Sequence, residues 1–364
     1  VALSSPHQLT TDALVERLFH STLGAMELLS VYLGDRLGLY EALADGEPAT
    51  PGDLATRTTT DPRYIREWLE HQAVSGFLTV DDVDAQPDQR RYRLPEDHRA
   101  VLADPDNIAF MRPLGSQFVG ITRALDDLLD AYRTGSGVPF ERYGDDMRRG
   151  IAEGNRVLFI NQLGSEWFPA MPDICARLDA DPPARVADVG CGSGWSSIAI
   201  ARAFPKVKVD GLDLDEESVK DAKANVAAEG LGDRVQIEVR DAADPDLHGS
   251  YDFACAFECI HDMAKPVEAL AAMRNLVGPG GSVLIADERV ADRFIAPGDE
   301  IERLMYGFSI LHCLPVGLVD TPSAATGTVM RPDQLREYAT AAGFREMTIL
   351  PVEHDVWRFY RLDA

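Results

Sequence analysis

The stretch Arg185–Ala203, RVADVGCGSGWSSIAIARA, limits what this chain can fold into more than any other part of it. Val186-Ala187-Asp188-Val189 is a short apolar run broken by one acid, the pattern of a strand buried in a parallel sheet. Gly190, Gly192 and Gly194 then alternate through a tight turn. From Trp195 the apolar residues Ile198, Ile200, Ala201 and Phe204 take up helical spacing. A strand, a glycine turn and a helix open a nucleotide-binding α/β unit. Glycine lets the backbone approach a ligand closely, and the helix start offers free N–H groups. The dinucleotide fingerprint G-x-G-x-x-G, counted from Gly190, would need glycine at 195, where the chain has Trp195.

From residue 185 onwards strands and helices alternate, which implies a parallel sheet with right-handed crossovers. Strands are expected over Val207–Leu214, Val235–Asp241, Tyr251–Phe257 and Ser282–Asp287, with Met347–Pro351 and Trp357–Arg361 closing the sheet. Helices are expected over Glu216–Glu229, Pro266–Leu276 and Pro332–Ala342. Ligands of open α/β sheets bind beyond the carboxyl ends of the strands. Those ends carry Asp213 and Leu214, Asp241 and Ala242, Phe257 with Glu258 and His261, and Asp287 with Glu288. An insertion from Arg289 to Val329 is placed to lid a substrate pocket, and holds Tyr306 and Leu311-His312-Cys313-Leu314-Pro315.

Upstream, residues 1–8 read as a loose tail and Thr10 to about Leu37 as a helix with a broad apolar face. That helix either packs in its own domain or docks across a dimer. Thr50-Pro51 and Asp61-Pro62 cap two short helices, Gly52–Arg57 and Arg63–Ser75. Phe77–Val80 and Arg91–Leu94 form a hairpin around the acidic loop Asp81–Gln89, completing a winged helix within residues 1–100. Residues 101–180 read as a helical connector: Asn107–Phe118, Ile121–Ala131, Asp145–Leu163 and Trp167–Leu178. It would roof the active site and offers Phe118, Gln162 and Trp167. Asp181-Pro182-Pro183 marks the start of the catalytic region, 181–364.

A winged helix invites a DNA-binding reading, with Arg63 and Arg66 on the recognition helix and Arg90, Arg91 and Arg93 on the wing. The same helix carries Glu67 and Glu70, and the wing tip is acidic, so a solvated face is the preferred reading. A formal net charge of −25 also weighs against nucleic acid or an anionic membrane as partner. An anionic substrate would need a local positive centre. The chain has no apolar run of about 18 residues and no basic-then-apolar leader. Five widely spaced cysteines without a CxxC pair suit reduced thiols in the cytoplasm.

Asp188 followed by G-x-G-x-G, with Asp213 and Asp241 in order behind it, closely resembles the motifs of class I S-adenosylmethionine (SAM) methyltransferases. The resemblance implies a seven-stranded Rossmann-like domain over nearly all of residues 185–364. It implies SAM contacts from Asp188, Gly190, Gly192, Gly194, Asp213 (to the ribose hydroxyls), Leu214, Asp241 (beside the adenine amino group), Ala242, Phe257 and Gln162. The N-terminal part resembles the dimerisation domain of plant and bacterial O-methyltransferases, which implies a homodimer and no DNA role for the winged helix. Ile260-His261-Asp262 resembles that family's His-Asp pair, with His261 as the base that deprotonates a phenol.

One departure opens a second route. Glu258-x-x-His261 on a single helical turn, joined by His312 from the lid, gives a two-His, one-carboxylate set that suits Zn²⁺ or a similar divalent ion. Leu28–Tyr40, Glu67–Phe77, Phe257–Met263 and Leu311–Pro315 resemble actinobacterial α-keto acid C-methyltransferases of peptide-antibiotic pathways. The resemblance implies methylation of a β-carbon through an enolate that the metal stabilises. Metal-bound hydroxide, Tyr306 or Asp287 would then be the base, and Asp262 would orient His261. Three functions follow: a metal-dependent C-methyltransferase of a small α-keto acid, a metal-free O-methyltransferase of a phenolic molecule, and a SAM-responsive DNA-binding regulator.

Overall fold

The computed structural model describes residues 9–244, 247–248 and 251–364. The tail expected at residues 1–8 lies outside the described residues. The chain divides into two compact units, Val1–Thr122 with Asp145–Val157, and Arg123–Gly144 with Leu158–Ala364.

In the first unit the opening helix spans Thr11–Arg36, and the Thr10 side chain accepts from the Ala13 N–H. Leu14, Val15, Leu18, Phe19 and Met26 on this helix are exposed. Two short helices follow, each started by the residues expected to start it. Thr50 and Asp53 form a reciprocal capping box for Pro51–Thr58, and Asp61 accepts from the Arg63 and Tyr64 N–H groups to start Pro62–Val74. The wing is a pair of antiparallel two-residue strands, β1 (Thr79–Val80) and β2 (Tyr92–Arg93). Leu39, Leu54, Ile65, Leu69 and Tyr92 make its core.

The second unit holds strands β3 (Arg185–Val189), β4 (Lys208–Asp213), β5 (Val235–Val239), β6 (Phe253–Phe257), β7 (Ser282–Glu288), β8 (Glu346–Ile349) and β9 (Trp357–Asp363). They form one seven-stranded sheet in the order β5-β4-β3-β6-β7-β9-β8. β3 to β7 run parallel, whereas β9 is antiparallel to both β7 and β8. The chain winds outward from β3 through β4 to β5, then returns to the other side of β3 with β6. The order therefore reverses at β3, and the crevice beyond the ends of β3 and β6 is where an open sheet takes a ligand.

Apolar layers cover both faces of the sheet. One contains Phe159, Leu163, Trp167 and Phe168; the other contains Leu270, Met273, Leu335 and Tyr360. Trp167 is fully buried against Phe257, Trp357 and Phe359, so it is core rather than roof.

Several boundaries differ from expectation, among them the connector helices, which are found over Pro113–Arg123, Leu125–Thr134 and Pro172–Asp179; two of the differences have local reasons. The helix expected to run to Leu163 keeps regular winding only over Gly144–Leu158, then widens into a π-helix over Phe159–Trp167. This segment seats Gly164 so close to Ala203 that a Cβ there would lie 2.6 Å from the alanine methyl. β5 ends at Val239 because Asp241 turns the chain, its Oδ1 accepting from the Ala243 N–H at 2.8 Å.

Candidate active site

The glycine bend beyond β3 is built from three left-handed residues, with φ of 70°, 51° and 80° at Gly190, Gly192 and Gly194. Their surroundings differ. A Cβ on Gly190 would lie 2.6 Å from Cys259 Sγ, and one on Gly194 would lie 3.0 Å from Ala222 Cβ. A Cβ on Gly192 would meet nothing within 4 Å, so the bend presents bare backbone to open space there. Asp213, at the end of β4, accepts from the Gly192 N–H at 2.7 Å and from the Asp215 N–H at 2.9 Å. Leu214 follows it with 64% of its surface exposed. An open glycine backbone, a carboxylate and an unpaired apolar side chain within one crevice fit a nucleoside.

Asp188 lies behind the bend. It is fully buried, and its Oδ2 accepts from the Ser196 and Ser197 hydroxyls, both at 2.6 Å, tying the strand end to the start of the helix Trp195–Ala203. Phe257 is buried edge-on to Phe159. Gln162 pairs with Glu166 and with His354. Asp241 and Ala242 lie in the turn after β5.

Beyond β6, Glu258 is itself left-handed, with φ of 52°, and a tight turn over Ile260–Asp262 presents His261. His261 is 2% exposed. Its Nδ1 is 2.8 Å from Asp287 Oδ1 and 3.0 Å from Glu288 Oε2. Ligand atoms of these three residues all lie within 4.8 Å of one another. Burial alone would lower the His261 pKa, but the Glu288 and Asp287 charges more than offset it and hold it well above the usual histidine value. Burial pushes the Glu288 carboxyl well up, with Asp287 adding to the shift, whereas the His261 charge holds Asp287 below the usual range against its own burial. Burial also raises the Asp262 carboxyl, to about 7.

This differs from the expected Glu258, His261 and His312 set. The left-handed Glu258 and the non-helical Cys259, with φ of −137° and ψ of −18°, interrupt the helical turn that would have aligned Glu258 with His261. Glu258 Oε1 instead accepts from Trp357 Nε1 at 2.6 Å. The group that comes together is His261, Asp287 and Glu288. Alternation along a strand points neighbours to opposite faces, which hides this pairing from the sequence. At the very end of β7 both carboxylates nevertheless reach one imidazole.

In the insertion after β7, a helix over Glu300–Phe308 widens into a π-helix over Ser309–Cys313. π-Helical turns are often found at functional sites. Here the π turn carries His312, 5% exposed, whose ring lies edge-on to Tyr143 at 4.6 Å and to Phe140 at 5.6 Å between centroids. Tyr143 also donates to the Leu311 carbonyl at 2.9 Å. Burial, with the nearby His261 charge, pushes the His312 pKa down to about 3, so the ring is neutral. Tyr306 is held elsewhere in the insertion, accepting from Arg331, which also pairs with the buried Glu302 at 2.7 Å.

A methyltransferase-domain family profile matches residues 187–283, from within β3 into β7, and a profile for the Rv2258c-like winged HTH domain matches residues 24–104. The chain is a class I SAM-dependent methyltransferase. This methyltransferase is 26% identical over 356 residues to 3-amino-4-hydroxybenzoate 4-O-methyltransferase of Streptomyces cremeus, across 95% of this chain and 90% of that one. It is 29% identical over 129 residues to norajmaline N-methyltransferase of Rauvolfia serpentina, covering 34% of this chain and 43% of the relative's length. Human N-acetylserotonin methyltransferase, solved in complex with SAM, shares the fold at 18% identity with a TM-score of 0.67, over 100% of this chain and 99% of that one. None of these three names an α-keto acid. Among the described residues of the methyltransferase, no helix is long and apolar enough to cross a membrane.

Proposed function

We propose that this methyltransferase moves a methyl group from SAM to a hydroxyl oxygen of a small molecule, with His261 as general base. The observation that carries the reading is the 2.8 Å contact between His261 Nδ1 and Asp287 at the ligand-binding end of the sheet. A carboxylate on Nδ1 keeps the proton there and leaves the Nε2 lone pair to accept the hydroxyl proton. The same carboxylates then stabilise the imidazolium that results, in a site from which water is largely excluded. Bound SAM supplies a methyl group made electrophilic by its sulfonium. The bend at Gly190–Gly194, Asp213, Leu214 and the turn at Asp241–Ala242 would hold it, with Asp188 setting the bend from behind.

The Streptomyces cremeus relative acts, by its name, on a phenolic oxygen, which supports an aromatic hydroxyl as acceptor. The test is turnover of a panel of hydroxylated aromatics with SAM. His261→Ala should lower kcat by roughly a hundredfold or more while leaving SAM affinity unchanged. Full activity in that variant would sink the reading.

A second reading, C-methylation of an α-keto acid on a divalent ion such as Zn²⁺, has one observation in its favour. Asp287 Oδ2 is buried without a hydrogen-bond partner among the described residues, save for a proton shared with Glu288, whose Oε2 lies 3.0 Å from His261 Nδ1. With His261 they are the residues that would hold the ion, which would supply a Lewis acid for an enolate. Under this reading purified protein carries about one equivalent of metal, Glu288→Gln loses it and Glu258→Gln retains it. Full activity in a metal-free sample removes the reading.

The exposed apolar face of the helix Thr11–Arg36 supports a homodimer, and five free cysteines support a reducing compartment such as the cytoplasm. Little favours DNA as a partner. Arg63, Arg66 and Arg90 are paired with Glu67, Asp88 and Glu70, and Arg91 and Arg93 are spent on the Pro48 and Gly46 carbonyls.

A further inference from the structure

Two buried carboxylates share one imidazole. Asp287 and Glu288 are 1% and 5% exposed, and among the described residues each forms an ion pair only with His261. A carboxylate taken out of water needs an opposite charge, and one ring supplies a single charge to two acids. A proton shared between the acids is one remedy, and a cation is the other. Asp287 Oδ2 has no partner among the described residues beyond that proton.

The spacing suits the cation. His261 Nδ1 lies 2.8 Å from Asp287 Oδ1 and 3.0 Å from Glu288 Oε2. An ion about 2.1 Å from two ligands at right angles sets those ligands about 3.0 Å apart. One nitrogen with two carboxylate oxygens suits a borderline ion such as Zn²⁺ better than Mg²⁺, which keeps to oxygen.

We propose that a divalent ion such as Zn²⁺ binds His261 Nδ1, Asp287 and Glu288 and thereby switches the general base off. A neutral imidazole carries a proton on one nitrogen and an accepting lone pair on the other. With the carboxylates holding a proton on Nδ1, the lone pair lies at Nε2, where the acceptor hydroxyl needs it. An ion on Nδ1 takes up the lone pair of that nitrogen, so the one ring proton sits on Nε2. Nε2 then donates instead of accepting, and the hydroxyl keeps its proton. This rests on the O-methyl reading for the role of Nε2, and adds to it a regulator that acts on the base itself.

The experiment is calorimetric titration of Zn²⁺ into protein stripped with a chelator, with Mg²⁺ as the comparison ion. Zn²⁺ should bind at about one equivalent, and Mg²⁺ at least about tenfold more weakly. Glu288→Gln, which loses a charged ligand, should weaken Zn²⁺ at least about tenfold. Glu258→Gln should keep the wild-type Zn²⁺ affinity. Turnover of hydroxylated aromatics with SAM is measured alongside. It should fall at least about tenfold as the site fills, with a midpoint at the free Zn²⁺ that half-saturates binding, and a chelator should restore it. The residual turnover of Glu288→Gln should resist the same Zn²⁺. No Zn²⁺ site in wild type, or an unchanged affinity in Glu288→Gln, would overturn the proposal. So would turnover that holds steady or rises as the site fills. Zn²⁺ binding without methylation of any hydroxyl by stripped protein supports the ion site and sinks the O-methyl reading, whereas methylation that bound Zn²⁺ leaves untouched does the reverse.

Discussion

His261 and Asp287 meet at 2.8 Å, both almost fully buried, with Glu288 3.0 Å from the same ring nitrogen. Burial works to lower the His261 pKa, but the two carboxylates outweigh it and carry it well above 6.5. A base acts only when unprotonated. The rate should therefore climb with pH along a limb whose midpoint lies above that of an ordinary histidine. Glu288→Gln removes part of the raising charge, so the midpoint of kcat against pH should move toward lower pH. An unmoved limb in that variant would show that His261 is not the titrating base.

Gly190 and Gly192 should separate stability from binding. A Cβ at 190 would collide with Cys259 Sγ at 2.6 Å, on top of a left-handed φ of 70°. Gly190→Ala should lower stability by about 2 kcal/mol or more. At 192 the φ is 51° but the space is open, so Gly192→Ala should cost only about 1–2 kcal/mol of backbone strain. Its methyl group would point toward the cofactor, and SAM affinity should fall roughly tenfold or more. Thermal unfolding and a SAM titration on both variants check this. Normal SAM binding in Gly192→Ala would mean that the bend does not face the cofactor.

Much of this architecture is legible in the sequence because its causes are local. Strand, glycine bend and helix follow one another within Arg185–Ala203, and Thr50, Asp53 and Asp61 cap helices a few residues away. What escapes is set across long stretches of chain. Nothing beside Glu258 in sequence requires a left-handed residue; its carboxylate is engaged by Trp357, on a strand 99 residues further on. The Asp287–Glu288 pair on one imidazole depends on β7 ending where it does. The clamp on His312 comes from Phe140 and Tyr143, which no spacing rule connects to the insertion after β7.

The exposed face of Thr11–Arg36 gives a third expectation. Leu14, Val15, Leu18 and Phe19 lie in solvent in the single chain, a contiguous apolar patch of the kind that a second copy covers. Phe19→Glu should convert a dimer into a monomer in sedimentation analysis. A wild type that sediments as a monomer at micromolar concentration would remove the dimer proposal.

His312 should also make the protein acid-labile. Its pKa falls from 6.5 to about 3 on folding, with burial the main cause and the His261 charge second. The folded state thus holds the ring neutral, whereas the unfolded chain takes up a proton below pH 6.5. The sign follows from linkage: stability is fully present above 6.5 and drains away as pH falls toward 3. At pH 5 the loss from this residue alone is about 2 kcal/mol. His312→Gln cannot titrate, so its urea midpoint should fall less than that of wild type between pH 7 and pH 5. Parallel curves for the two proteins would mean that the ring is protonated, or already satisfied, in the folded state.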